Sequence, residues 1–310
     1  MATEAVTLDY ASGMIKLMLM RLLRPVVGRF PRVFYRVASF AGWFAFQTRR
    51  GLRRQAVRNM LPLCDGDLPR AKREALRATQ RVAQYYVDLA TLPRRNMAKF
   101  EAEHLSIDRP DRLAMLEEPG PIVVVSAHTG NAELAIQALT YRGRDFVALV
   151  EALRPRQLAD YVGSLRSSGG GNFHEAGFAG LRSCLAALKQ GQLVGVMGDR
   201  DIQGTGLCLE LAGRWVKLPR GPWELARRSG APVLPVFCTR VRNDDFKVNV
   251  EEPILVRHTE DADADVQLAA EQFARILETH LRQDPGQWFV LEDFWRVHAC
   301  REHDGEHDDG

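Results

Sequence analysis

Hydrophobic and polar positions divide this chain into three stretches with different rhythms. In the first, apolar runs at 17–20 (extended by Leu22 and Leu23) and at 37–46 around Trp43 are broken by basic residues rather than by turns. In the second, 68–92, Ala75, Ala78, Val82, Tyr85 and Leu89 recur at helical spacing, so one face of a long helix is apolar. In the third, short apolar runs alternate with helical segments. Strands are predicted at 122–126, 146–150, 193–197, 233–239, 246–250 and 288–291, and helices at 133–142, 155–167, 181–189, 223–228 and 266–282. This alternation predicts an α/β fold, a single domain whose central, mostly parallel (mixed) sheet is flanked by helices. The short interval between 233–239 and 246–250 predicts an antiparallel hairpin at one edge of that sheet.

Composition adds little until it is mapped along the chain. With 46% hydrophobic and 26% charged residues over 310 positions, the chain is an ordinary folded protein with room for a sizeable core. Its net charge of +3 conceals an asymmetry: between Tyr10 and Cys64 there are eleven Lys and Arg and no Asp or Glu, leaving −8 for the remainder. Neither apolar run in that segment approaches the ~20 residues needed to span a bilayer. Glu4 and Asp9 stand where a secretory leader would be basic. Residues 1–64 are therefore predicted to form a basic amphipathic helical segment that associates with anionic lipid at the inner leaflet. Nucleic acid is the competing partner for so much arginine. Aromatic and aliphatic residues alternate with the charges and no nucleic-acid motif is present, which favours the membrane. An ordinary helical layer packed on the domain is compatible with either partner.

The five cysteines form no C-x-x-C pair, so the expectation is reduced thiols, no disulfide framework and no metal site. The polar stretch 298–310, with His298, His303 and His307 among acidic residues, is predicted to be a disordered tail, which leaves 65–297 as the α/β domain.

Candidate chemistry concentrates at predicted strand ends, where α/β proteins place their sites. Residues 123–133 read V-V-V-S-A-H-T-G-N-A-E. An apolar strand delivers His128, the turn Thr129-Gly130-Asn131 can cap a following helix, and Glu133 lies in its first turn. Residues five apart on a continuous helix do not share a face, so His128 and Glu133 can meet only if the histidine folds back from the turn. A carboxylate on one ring nitrogen leaves the other as a proton acceptor near neutral pH, which describes a general base. A buried histidine bonded to a capping glutamate is the plainer alternative. Asp199, Arg200 and Asp201 follow the strand at 193–197, and Glu151 and Arg154 follow that at 146–150, with Arg166 on the next helix. Such arginines can hold an anionic headgroup, or form a solvated rim. Gly169-Gly170-Gly171 and Gly204-Thr205-Gly206 lack phosphate-loop spacing and read as a loop and a flexible flap. No G-x-S-x-G elbow is present.

Taken in order, these pieces resemble the lysophospholipid acyltransferase superfamily, in its lipid A and phosphatidylinositol mannoside acyltransferase branch. The resemblance runs from the basic helix ending V-R-N-M at 57–60 through H-T-G-N-A-E (an H-x4-D/E motif), V-E-A-L-R-P at 150–155 and G-D-R-D at 198–201. It continues through L-P-R-G-P at 218–222 and S-G-A-P-V-L-P-V at 229–236 to P-G-Q-W-F at 285–289. The V-E-x-L and D-R-D segments look closer to the mannoside enzymes. The resemblance implies transfer of a fatty acyl group from an acyl carrier protein or coenzyme A thioester to a hydroxyl of a membrane glycolipid, with no other cofactor and no metal. It implies His128 as base, with Glu133 or Asp199 as its carboxylate. Glu151, Arg154, Arg166 and Arg200, with Gly130 and Asn131 of the turn, are the implied substrate-binding positions. Two departures stand out. Val290 to Arg296 replace a common His and Arg after Q-W-F, and Ala132 replaces a common tryptophan, widening the local pocket. A non-catalytic lipid-binding relative and an acyl thioesterase are the competing functions.

Overall fold

A computed structural model describes residues 2–300 apart from 152 and 169, and the side chains of 2–12, 16, 136 and 138–141 lie outside that description. Three helices come first: α1 (Ala2–Val27), α2 (Pro31–Thr48) and α3 (Arg50–Met60). All three lie against α4 (Leu68–Thr91), whose N-cap Asp67 accepts the Arg70 amide at 3.0 Å and whose buried face runs through Ala71, Ala75 and Ala78. These small residues let α2 come close. A Cβ at Gly42 would stand 2.6 Å from Gln80 Cα, so only glycine allows this crossing. The outer faces of α1 and α2 are left bare, with Met18 61%, Leu22 69%, Phe40 63% and Phe44 55% exposed beside exposed Arg21, Arg29, Arg32 and Arg36. Among the described residues no helix is long and apolar enough to cross a membrane.

The chain continues through α5 (Met97–His104), β1 (Leu105–Ile107), α6 (Pro110–Glu117), β2 (Ile122–Ser126), α7 (Ala132–Tyr141), β3 (Phe146–Val150) and α8 (Arg156–Ser167). Then come β4 (Asn172–Glu175), α9 (Phe178–Lys189), β5 (Leu193–Met197), the hairpin β6 (Leu207–Leu211) with β7 (Arg214–Leu218), and α10 (Gly221–Ser229). The last elements are β8 (Val233–Arg242), β9 (Asp245–Val250), α11 (Ala262–Gln283) and α12 (Phe294–Val297). Seven strands form one sheet in the order β1-β9-β8-β2-β5-β3-β4, parallel except for the β8–β9 pair. The mixed, mostly parallel sheet expected from the alternation is therefore present.

β2 is central and buried on both faces, which is why its sequence is a continuous apolar run rather than an alternation. Val123 and Val125 pack on the side of α10 and α11, and Ile122 and Val124 on the side of α6 and α7. β3, β4 and β5 lie to one side of β2, and β8, β9 and β1 to the other. The carboxyl end of β2 is thus a topological switch point, where open α/β sheets leave a crevice.

Some expectations change. The β8–β9 hairpin is not the sheet edge, because β1 pairs with β9 outside it; three residues between two helices carry too little strand pattern to be read. Residues 288–291 form no strand. They run beside the loop after β2 instead, through a Thr129–Trp288 bridge and the Phe289 amide, which donates to the His128 carbonyl at 2.7 Å. Cys208 and Cys300 are joined by a disulfide, so the all-reduced reading fails for this pair, 92 residues apart and beyond the reach of any spacing rule. The Lys217 amide donates to the His298 carbonyl and the Cys300 amide to Trp215, laying 298–300 along β7. His298 is 4% exposed and Cys300 fully buried, so the start of the predicted tail belongs to the domain. Residues 301–310, with His303 and His307, lie outside the described residues. The flap at Gly204 is tied down, since the Asp201 carboxylate accepts the amides of Gln203, Gly204 and Gly206 at 3.2, 3.1 and 2.7 Å.

Candidate active site

β2 and β5 run in register, with Ser126 opposite Met197, so both end at the same level and bring together residues 71 positions apart. His128 Nδ1 lies 2.8 Å from Asp199 Oδ1. Asp199 Oδ2 accepts the His128 amide at 3.0 Å and the Trp288 indole at 2.9 Å. The Asp199 side chain is fully buried, while that of His128 is 27% exposed. Burial opposes the Asp199 charge, but the imidazole, the amide and the indole outweigh it and hold the carboxyl below its usual range. For His128, burial favours the neutral ring, but the charge and hydrogen bond of Asp199 win and raise its pKa above 6.5. An ionised Asp199 keeps the proton on Nδ1, leaving Nε2 as an acceptor with no protein partner among the described residues.

The loop that carries the histidine is held on every side. Gly130 has φ +54°, and a Cβ there would stand 2.2 Å from the Cys238 carbonyl oxygen. Asn131 Oδ1 accepts the Leu134 amide at 3.1 Å and so caps α7. The Gly130 amide reaches the Gln287 carbonyl at 3.4 Å, so it is not free for an oxyanion. Residues 287–289 of the P-G-Q-W-F motif thus form a bracket: Gln287 holds Gly130, Trp288 holds Asp199 and Phe289 holds His128.

The His128 ring opens on a cavity of about 670 Å³. Its floor is one face of the sheet, presented by alternate residues Val124, Ala148, Val236 and Val248, and Ala135 of α7 lies over it. Leu113, Leu116 and Ile107 continue the apolar wall away from the histidine, while Arg200, Ile202 and Pro222 stand at the strand-end rim. Cys238 also lines the cavity, but burial pushes its thiol up to about 12, so it stays protonated and is a poor nucleophile.

A family described as bacterial lipid A biosynthesis acyltransferase matches residues 3–297. The chain belongs to this family. Among curated proteins it is 28% identical, over 179 residues, to the phosphatidylinositol mannoside acyltransferases of Mycobacterium tuberculosis strains CDC 1551 and H37Rv, covering 56% of this chain. The match spans about half (54%) of those relatives' own length. It is 25% identical over 218 residues, 69% of each chain, to the phosphatidylinositol mannoside acyltransferase of Mycolicibacterium smegmatis.

In this member of the acyltransferase family, Glu133 does not reach the histidine. It accepts Arg166 Nε at 3.0 Å and Nη2 at 2.6 Å, and the Tyr85 hydroxyl at 2.9 Å, bolting α7 to α8 and α4. Arg200 instead stands near His128, its Nε on Glu292 at 2.7 Å and its Nη1 on Glu151 at 3.2 Å. His298 and Arg200 hold the Glu292 carboxyl down at about 2. The departure after Q-W-F therefore supplies the carboxylate that orients Arg200. Arg154 is exposed and, among the described residues, does not line the cavity. Tyr85, Trp288 and Glu292 were not singled out from the sequence, because each acts through a partner remote along the chain.

Proposed function

We propose that the protein is an O-acyltransferase that moves a fatty acyl chain from an acyl carrier protein or coenzyme A thioester to a hydroxyl of a membrane glycolipid. The observation that carries this reading is the His128–Asp199 pair, with Nε2 open to a long apolar cavity. Family membership and the similarity to mannoside acyltransferases support it.

In this mechanism His128 Nε2 accepts the proton of the acceptor hydroxyl, whose oxygen attacks the thioester carbonyl carbon. The imidazolium that forms is stabilised by Asp199. The carbonyl oxygen becomes an oxyanion, and with the Gly130 amide engaged, the N–H groups of Arg200 not held by Glu292 and Glu151 are the donors assigned to it, since Arg200 lines the same cavity. Collapse of the intermediate breaks the C–S bond and expels the thiolate, which takes the acceptor-derived proton from the imidazolium, leaving ester, thiol and the neutral ring. The acyl chain lies along the sheet face beneath α7. The bare apolar and basic faces of α1 and α2 dock on anionic lipid at the inner leaflet, where the acceptor is held.

The test is a labelled acyl thioester incubated with total membrane lipids. Label in a glycolipid is the expected result and names the acceptor. Label in free fatty acid alone, with or without lipid, identifies a thioesterase and rejects transfer. Binding without turnover identifies a non-catalytic lipid binder and rejects it equally.

A further inference from the structure

We propose that Tyr35 and Asp88 are positioning residues for His128, so that the seat of α2 on α4 is part of the active site. The inference rests on the acyl-transfer reading of His128.

Asp88 of α4 is 1% exposed and divides its two oxygens between two parts of the molecule. Oδ1 accepts the Tyr35 hydroxyl from α2 at 2.6 Å. Oδ2 accepts Asn131 Nδ2 at 2.9 Å, from the turn three residues after the histidine. Arg240 of β8 contacts both oxygens and neutralises the charge, and its side chain, like that of Asp88, has no exposure. The Gln287 side chain in turn grips the Arg240 backbone, accepting its amide at 3.0 Å and donating to its carbonyl at 2.8 Å, while the Gln287 carbonyl receives the Gly130 amide. The network is therefore closed around the histidine loop. Among the described residues its one branch to the basic segment is the Tyr35 phenol, and burial with the Asp88 charge keeps that phenol protonated and donating at any working pH.

Asp88 and Arg240 could balance each other without either neighbour, as a buried pair needs only its own geometry and hydrogen bonds. What Tyr35 adds is direction. Its hydrogen bond holds Oδ1 toward α2 and leaves Oδ2 aimed at Asn131. Without it the carboxylate can turn fully onto the Arg240 fork, and Asn131 loses its anchor beneath the turn. A displacement of about 1 Å at the reacting nitrogen is enough to cost one to two orders of magnitude in rate. On its other side the same helix carries Phe40, Trp43 and Phe44 to solvent, so whatever seats α2 on a lipid surface also seats the phenol.

The experiment is a double-variant cycle on the full chain, with labelled acyl thioester and total membrane lipids as substrates. Tyr35→Phe removes only the hydroxyl. Asn131→Ser keeps an oxygen to cap α7 but does not reach Asp88. Each is expected to lower kcat about tenfold with the donor KM within about twofold. The double variant should lose no more than the larger single loss, because both act through one carboxylate. Melting curves establish folding, and if Tyr35→Phe does not fold, Asn131→Ser carries the test alone. Wild-type kcat in either folded variant, a loss confined to KM, or losses that multiply in the double variant overturn the proposal. His128→Ala in the same assay tests the acyl-transfer reading separately: wild-type turnover there rejects that reading whatever Tyr35 does.

Discussion

Two polar pairs on one cavity wall, five residues apart in sequence, show how differently a proposed base and a structural bolt are built. Glu133 has both oxygens occupied, by two nitrogens of Arg166 and the hydroxyl of Tyr85, and the two charged side chains are only 15% and 12% exposed. His128 has one nitrogen held by a buried carboxylate and the other unclaimed among the described residues. The difference lies in the valence left over. A saturated pair can stabilise three helices but offers nothing to a substrate, whereas a half-satisfied histidine with a fixed tautomer can accept a proton. Both carboxylates were legitimate candidates to orient His128, and the one nearer in sequence is the one that does not touch it.

The comparison is sharpened most by His128→Ala, which should lower acyl transfer by at least about 10³-fold while the chain stays folded, with a melting temperature a few degrees lower because the buried Asp199 loses the ring, measured by labelled product formation and calorimetry. A variant with near-wild-type turnover breaks it. Next in size is Glu133→Ala, which leaves Arg166 buried without its partner. It should cost about 2 kcal/mol, below the full cost of breaking a sealed pair because both side chains retain some exposure, and lower the melting temperature by a few degrees. The pH at which turnover falls should not move in this variant, since Glu133 does not touch the imidazole. An acid limb displaced by Glu133→Ala would mean that the bolt also acts on the base. The smallest effect is expected at Trp43→Ala, 38% exposed in the wild type. Binding to anionic vesicles in a sedimentation assay should weaken about fivefold, at roughly 1 kcal/mol for a partly inserted ring, with the protein still folded. Unchanged binding would remove the outer face of α2 from the lipid contact.

Much of the fold could be read directly where the pattern is local. β2, β3 and β5 have the expected bounds because each is a continuous apolar run between polar or glycine-rich flanks, and α4 has its expected length because its small and apolar residues keep the 3.6-residue period. What escaped reading depends on partners far apart. β1 is three residues long, the β6–β7 hairpin was hidden behind glycines, and Trp288 to Leu291 have strand composition but pair with a loop. The site divides in the same way. His128, Asp199, Arg200 and Glu151 are readable because they stand at the ends of apolar strands. Which of them touch is set by the register of β2 on β5 and is written nowhere locally. Asp88 and Arg240, 152 residues apart, give no sequence signal at all.

The central claim, that Asp199 orients His128 as the base, is tested most directly by the pH dependence of kcat/KM in the wild type and in Asp199→Asn. A base works as the neutral ring, so activity is lost as pH falls through its pKa. Asp199 raises that pKa, so the wild-type acid limb should lie above pH 6.5. In Asp199→Asn the favourable charge is gone and the buried ring becomes harder to protonate. The limb should therefore move to lower pH, together with a fall in rate of at least about 10²-fold from the lost tautomer control. An acid limb at the same pH in both proteins, or a rate left unchanged, would contradict the account.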